Sequence, residues 1–208
     1  PWLVPAPLAE AAMKVGMAMP AELPRTWDTA RGPVSLDHPI IVAILNTTPD
    51  SFSDGGRFLG TDAALAHAAA LVEAGADILD VGGESTRPGR QEQVPEAEEL
   101  VRVAPVVEAI VREHPGVPVS VDTVKAGVAR AALDAGAAIV NDVSAFRLDP
   151  GMAAMVAASK AGAILMHSRG PILEISSYRH ADYGDDVVGG VIAELREAID
   201  RAGVDGVS

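Results

Sequence analysis

Two polar segments in this sequence hold more chemistry than a simple connection requires. The first, Asn46-Thr47-Thr48-Pro49-Asp50-Ser51-Phe52-Ser53-Asp54-Gly55-Gly56, follows an apolar run directly. It offers amide, hydroxyl and carboxylate oxygens, the donor set that a hard cation such as Mg²⁺ takes, together with one aromatic ring. Read more plainly, Thr48-Pro49-Asp50-Ser51 and Asp54-Gly55-Gly56 are two turns. The second segment is Asp80-Val81-Gly82-Gly83-Glu84-Ser85-Thr86-Arg87-Pro88-Gly89. Its glycine pair lets backbone approach a ligand closely, and its hydroxyls with Arg87 suit phosphate or another anion. The plainer reading is a loop whose Arg87 pairs with a neighbouring acid.

Two shorter segments place an acid and an amide after apolar runs: Ser120-Val121-Asp122-Thr123 and Val140-Asn141-Asp142-Val143. A carboxylate accepts two N–H groups and an amide both donates and accepts, so the pair suits a ring with an amidine-like donor pattern. The competing assignment is capping, by Asp122 or Thr123 before a helix and by Asn141 or Asp142 in a loop. His167 follows another apolar run and is a general base, a ligand or a structural imidazole. Asp149-Pro150-Gly151 reads as a turn and helix start, and the acids from Glu92 to Glu99 as the exposed first turn of a helix.

These groups need elements to aim them. Apolar runs at 40–45, 78–81, 117–121, 138–140 and 163–166 alternate with helical stretches predicted at 61–74, 96–113, 125–135, 152–160 and 185–202. Ala74-Gly75-Ala76, Ala135-Gly136-Ala137 and Ala161-Gly162-Ala163 mark helix-to-strand joints, where glycine takes the left-handed conformation. Ala202-Gly203-Val204 is expected to open a sixth strand. Apolar runs without alternation belong to strands buried on both faces, hence to a parallel sheet covered by helices. Five strands in a row end in polar groups, which favours a (β/α)₈ barrel, whose strand ends converge on one mouth. An open sheet gathers such groups at a single switch point. The expected fold is therefore an α/β, TIM-type barrel of which about the first five βα units are present. Residues 1–25 read as a linker or extension, 26–208 as the barrel domain, and 26–39 as two short strands around the Arg31-Gly32 turn.

The 208 residues include no cysteine, which removes disulfides, thiolate zinc sites and cysteine nucleophiles. Sixteen Lys and Arg against 29 Asp and Glu leave a net charge of -13, which disfavours nucleic acid and anionic membrane as partners. No apolar stretch approaches the roughly 18 residues of a membrane span, and no leader pattern is seen, so the expected location is the cytoplasm.

Together, NTTPDSFSDGG at Asn46–Gly56, GGESTRPG at Gly82–Gly89, SVDT at Ser120–Thr123 and NDV at Asn141–Val143 resemble dihydropteroate synthase of folate biosynthesis. That resemblance implies a TIM-type barrel that joins 4-aminobenzoate to (7,8-dihydropterin-6-yl)methyl diphosphate with Mg²⁺, as a homodimer when full length. It implies that Asn46 ligates Mg²⁺ at the diphosphate. It puts Phe52 and Asp54 on a first mobile loop and Ser85, Thr86, Arg87 and Pro88 on a second, the two forming the 4-aminobenzoate pocket. Asp122 and Asn141 are then expected to hold the pterin between Val143 and Met166, with Asp122, Asn141 and Arg87 in catalytic roles. Later family elements, a strand-seven Lys, a Ser-Arg-Lys run and an Arg-x-His pair, do not occur in the sequence, which is expected to be incomplete at its C-terminus. The alternatives are a non-catalytic pterin-binding paralogue or remnant, and a methyltetrahydrofolate methyltransferase-type domain, to which the two long segments are foreign.

Overall fold

The computed structural model describes residues 25–47, 57–84, 92–175 and 177–207, with the backbone alone at 57–59 and 178. Strands β1 (Thr26–Trp27) and β2 (Val34–Ser35) pair antiparallel around the Arg31-Gly32 turn. Five βα units follow. Strands β3 (Val42–Asn46), β4 (Ile78–Gly82), β5 (Val119–Asp122), β6 (Ile139–Asp142) and β7 (Gly162–Leu165) alternate with helices α1 (Arg57–Glu73), α2 (Glu96–Glu113), α3 (Ala126–Asp134), α4 (Met152–Ser159) and α5 (Val187–Val204).

The five strands form one parallel sheet in the order β3-β4-β5-β6-β7. Each strand lies beside its predecessor, with no reversal of order. A doubly wound sheet reverses at its switch point, so the order is that of a barrel wall, as the polar strand ends predict.

The outer face of the sheet and the inner faces of the helices share one core. Leu45, Leu79, Val81, Val119, Val121 and Val140 meet Val103, Val107 and Ile110 of α2 and Val128 and Ala132 of α3. At the N-terminal end of the strands the β1–β2 hairpin closes the wall. Trp27 packs with Ile78, Ala138 and Ile139, and the Ala30 N–H donates to the Ala138 carbonyl at 3.2 Å. The polar strand ends lie at the opposite, C-terminal end.

The helix-to-strand joints differ in part from expectation. Gly75 and Gly136 carry the positive φ of a helix end, at 99° and 112°. At the third joint Lys160 takes that conformation, at 54°, and Gly162 is the first residue of β7. Gly203-Val204 opens no strand: α5 runs through Val204, and Gly206 carries the positive φ.

Gly83 is required by close approach instead. A Cβ there would lie 2.7 Å from Val103 Cγ2 and 2.8 Å from Glu99 Cγ, both on α2. Gly83→Ala is expected to destabilise the protein by about 1–3 kcal/mol, the usual range for overpacking against stiff neighbours. Urea unfolding at fixed m-value checks this.

Candidate active site

Strand register builds the site. Asn46 pairs with Gly82, Gly82 with Asp122 and Asp122 with Asn141, so four adjacent strands place these residues in one row at the C-terminal end of the sheet. In a parallel sheet such a row shares a face. Gly82 is the gap in it. A Cβ there would stand 3.6 Å from Asp122 Oδ2 and 3.7 Å from Asn46 Oδ1, so the missing side chain leaves a cradle between two oxygens.

One layer deeper, Asp80 pairs with Ser120 across β4 and β5. Asp80 is buried; its Oδ2 accepts from Asn141 Nδ2 at 2.9 Å, while its Oδ1 and Ser120 Oγ have no hydrogen-bond partner among the described residues. Burial pushes the Asp80 carboxyl up, against the opposing pull of the hydrogen bond from Asn141. The Asn141 amide is thereby oriented, with its carbonyl oxygen available to the mouth.

Asp122 lies among acids. Burial, then the charges of Asp80, Glu99, Asp142 and Glu84, push its carboxyl up to about 7. A buried carboxylate facing like charges carries a strong preference for a donor ligand. Shifts of this kind cluster where binding or proton transfer takes place.

The capping alternatives resolve residue by residue. Ala126 N–H at the start of α3 donates to Asp149 Oδ2 at 2.8 Å and Lys125 N–H to Thr123 Oγ1 at 3.2 Å, so neither donor uses Asp122. Of the other pair, Asp142 is the cap: its carboxylate accepts from Ser144 N–H at 2.6 Å and Phe146 N–H at 3.2 Å. Those bonds hold two consecutive non-glycine residues, Ala145 at φ 51° and Phe146 at 62°, in left-handed conformation beside the row. Strain of this kind persists only where surroundings enforce it. Asp142→Ala is expected to lose about 2 kcal/mol of stability, since one buried and one part-buried N–H group lose their acceptor, and to weaken ligand binding at Asn141. Unfolding and binding titrations on one variant check both effects.

Val143 is nearly buried beside Asn141, whereas Met166, just past β7, is 42% exposed. His167 Nε2 meets Glu194 Oε2 of α5 at 2.8 Å. Arg169 binds the same carboxylate and lies 3.9 Å over the Tyr183 ring, and Arg169 holds the Glu194 carboxyl down at about 2. Phe52, Asp54, Ser85, Thr86, Arg87 and Pro88 lie outside the described residues.

Glu99 corrects the reading of the acidic stretch. Glu96 and Glu98 are exposed, but Glu99 is fully buried and pairs with Lys125. Glu99, Val103, Val106 and Ile110 recur at helical spacing on the apolar stripe of α2. That pattern was available in the sequence.

Comparison with known proteins identifies the family. Residues 42–208 match the family described as pterin binding enzyme. The chain belongs to the pterin-binding enzyme family. Dihydropteroate synthase of Bacillus subtilis is 45% identical over 166 residues, covering 80% of this chain and 55% of that protein. The Mycobacterium leprae synthase is 48% identical over 167 residues, covering 80% and 57%. A solved structure of Xanthomonas albilineans dihydropteroate synthase with 4-aminobenzoic acid superimposes with a TM-score of 0.78 at 45% identity, covering 89% of this chain and 64% of that chain. The fold is thus part of a TIM-type barrel, and the chain spans little more than half the length of these two curated relatives. That they are synthases does not favour the methyltransferase-type reading. No helix among the described residues is long and apolar enough to cross a membrane.

Proposed function

We propose that this chain carries the pterin and metal half of a dihydropteroate synthase site, joining 4-aminobenzoate to (7,8-dihydropterin-6-yl)methyl diphosphate. The observation that supports it most is the row Asn46, Gly82, Asp122 and Asn141 across four strands, with an open cradle at Gly82. The solved Xanthomonas albilineans synthase in complex with 7,8-dihydropteroate, 42% identical with a TM-score of 0.73, adds support from a relative.

The residues fit Mg²⁺. Mg²⁺ keeps several waters and takes one or two protein oxygens plus substrate phosphates. Asn46 Oδ1 at the edge of the cradle is such an oxygen, and no cluster of three or more His, Asp or Glu among the described residues offers a rival cage. When bound, the ion would neutralise diphosphate charge and improve the leaving group.

The chain's own residues do the rest. Asp122 accepts two N–H groups of the pterin, Asn141 accepts through the carbonyl that Asp80 leaves free, and Met166 covers the ring. The nitrogen of 4-aminobenzoate forms a bond to the pterin methylene as the carbon–oxygen bond to diphosphate breaks, and the amine then loses a proton. Positive charge developing on the pterin meets the Asp122 carboxylate, so the site acts by positioning and fixed electrostatics. Ser85, Thr86, Arg87 and Pro88, with Phe52 and Asp54, are proposed to enclose the diphosphate and the 4-aminobenzoate, Arg87 by its charge.

Calorimetry of pterin diphosphate binding, with Mg²⁺ and with chelator, tests the proposal. Binding is expected to weaken at least tenfold in chelator, and Asn46→Ala is expected to remove most of that difference. A folded chain that binds the compound equally well in chelator, or not at all, overturns the reading.

A further inference from the structure

Behind the row lies a buried charge cluster that the proposed chemistry does not use. Glu84 is the last residue before the segment 85–91, and Val94 lies just beyond that segment's far end. A single carboxylate reaches both ends: Glu84 Oε1 accepts from Val94 N–H at 3.1 Å, and Glu84 Oε2 meets Lys125 Nζ at 2.6 Å. Lys125 also pairs with Glu99 on α2. The three side chains are 11%, 15% and 1% exposed for Glu84, Lys125 and Glu99, so water screens them little.

Burial would push the Lys125 ammonium down, but Glu84 and Glu99 outweigh it and hold it above its ordinary value. Lys125 stands at the N-cap of α3, three residues beyond Asp122. One ammonium therefore joins the end of β4, the side of α2 and the start of α3. Arg102 Nη1, donating to the Gly83 carbonyl at 3.0 Å, is a second hold on the same stem. Without the ammonium, the Glu99 carboxylate has no hydrogen-bond partner among the described residues, its Oε1 being unpartnered already. Glu84 and Glu99 would then face one another without the cation they share, which loosens the hold of Lys125 on the carboxylate that meets Val94.

We propose that Lys125 is a positioning residue that, through Glu84, clips together the two ends of the segment 85–91. Its consequence for function rests on the reading that Ser85, Thr86, Arg87 and Pro88 shape the 4-aminobenzoate site. On that reading Lys125 governs use of the aryl amine more than grip on the pterin, which sits on the strand row.

The test is limited trypsin digestion of the full 208-residue chain, read by mass spectrometry. Arg90-Gln91 inside the segment is a cleavable bond, whereas Arg87-Pro88 resists trypsin because proline follows. Arg179-His180, in an exposed turn far from the cluster in sequence, is the reference. Lys125→Met is expected to speed cleavage at Arg90 at least tenfold relative to Arg179, and Lys125→Arg, which keeps the cation, to stay within threefold of wild type. Glu84→Gln, which keeps the shape and drops the charge, is the second variant and is expected to give at least threefold. The cleavage ratio is taken from whichever variant keeps a cooperative thermal transition. Unchanged cleavage at Arg90, or equal acceleration at both sites, overturns the proposal.

Calorimetry on the same variants adds a readout that a general loss of structure would not produce. Affinity for 4-aminobenzoate in the presence of pterin diphosphate is expected to fall at least tenfold, with affinity for pterin diphosphate itself within threefold. A wild-type chain that binds neither compound counts against the proposed function, and the digestion still decides on the clip.

Discussion

Asp122→Asn is expected to make the unliganded protein more stable at pH 8 while removing pterin binding. The Asp122 carboxyl titrates at about 7 in the folded chain, raised by burial and by Asp80, Glu99, Asp142 and Glu84, against 3.8 when unperturbed. The folded state therefore binds a proton that the unfolded state releases between those two values. Stability from this group is fully present below pH 3.8 and is lost as pH rises through about 7. Each tenfold difference in proton affinity between the two states is worth about 1.4 kcal/mol, so the loss between pH 4 and pH 8 is on the order of 2–4 kcal/mol once the other acids share it. Asparagine has no charge to bury, so the variant should flatten that slope and gain about 1–3 kcal/mol at pH 8. Binding moves the other way. In the proposed site Asp122 makes two charge-assisted hydrogen bonds to the pterin, worth about 1.5–3 kcal/mol each, and weakening both lowers affinity about 100-fold or more. Urea unfolding at pH 5 and pH 8, beside calorimetry, reads both effects. An Asp122→Asn protein no more stable than wild type at pH 8, or one that binds pterin diphosphate within tenfold of wild type, would remove Asp122 from its assigned place.

Asn141→Leu is the second large effect, and here stability and binding fall together. Asn141 Nδ2 is the donor to Asp80 Oδ2, and Asp80 Oδ1 already lacks a partner among the described residues. Leucine keeps the branching and the number of heavy atoms but is larger, so the loss of polarity comes with some overpacking. A buried carboxylate left without its donor costs about 2–4 kcal/mol, and the Asp80 carboxyl, raised by burial, should rise further. Pterin affinity should fall at least tenfold with the amide gone. The double variant Asp80→Leu with Asn141→Leu separates the two roles. Replacing both partners by apolar groups should recover at least about 1 kcal/mol relative to the sum of the single variants. Pterin binding should not return. Strict additivity in the cycle would mean that the Asp80–Asn141 bond does not orient the amide.

Much of this protein is legible in one dimension. Uninterrupted apolar runs separated by helix-period stretches define a parallel sheet with helices, because backbone geometry and burial on both faces leave few other ways to satisfy that pattern. Asn46, Asp122 and Asn141 were legible as candidate site residues because a polar residue that closes an apolar strand sits at the strand's C-terminal end. Trp27 and the Arg31-Gly32 turn likewise announced the hairpin.

Tertiary structure decided what local pattern leaves degenerate. The text Asn141-Asp142 permits either residue to cap the loop; only the folded chain shows Asp142 taking the Ser144 and Phe146 N–H groups and Asn141 turned toward Asp80. Asp122 and Thr123 are equally good caps in sequence, yet Asp149, 23 residues away from Ala126, takes that donor. Gly203 follows an alanine, as do the glycines that end α1 and α3, but α5 continues to Val204. Hydrogen-bond donors accept any partner of the right chemistry that packing brings near, and packing depends on residues far off in the chain. Lys125 shows this most fully: its meaning comes from Glu84 and Glu99, 41 and 26 positions away. The sequence alone determined which strands exist and what stands at their ends, because periodicity and burial are local. Which of those end groups face one another, and which buried charges share one counter-ion, was decided only by the sheet register and the helix packing.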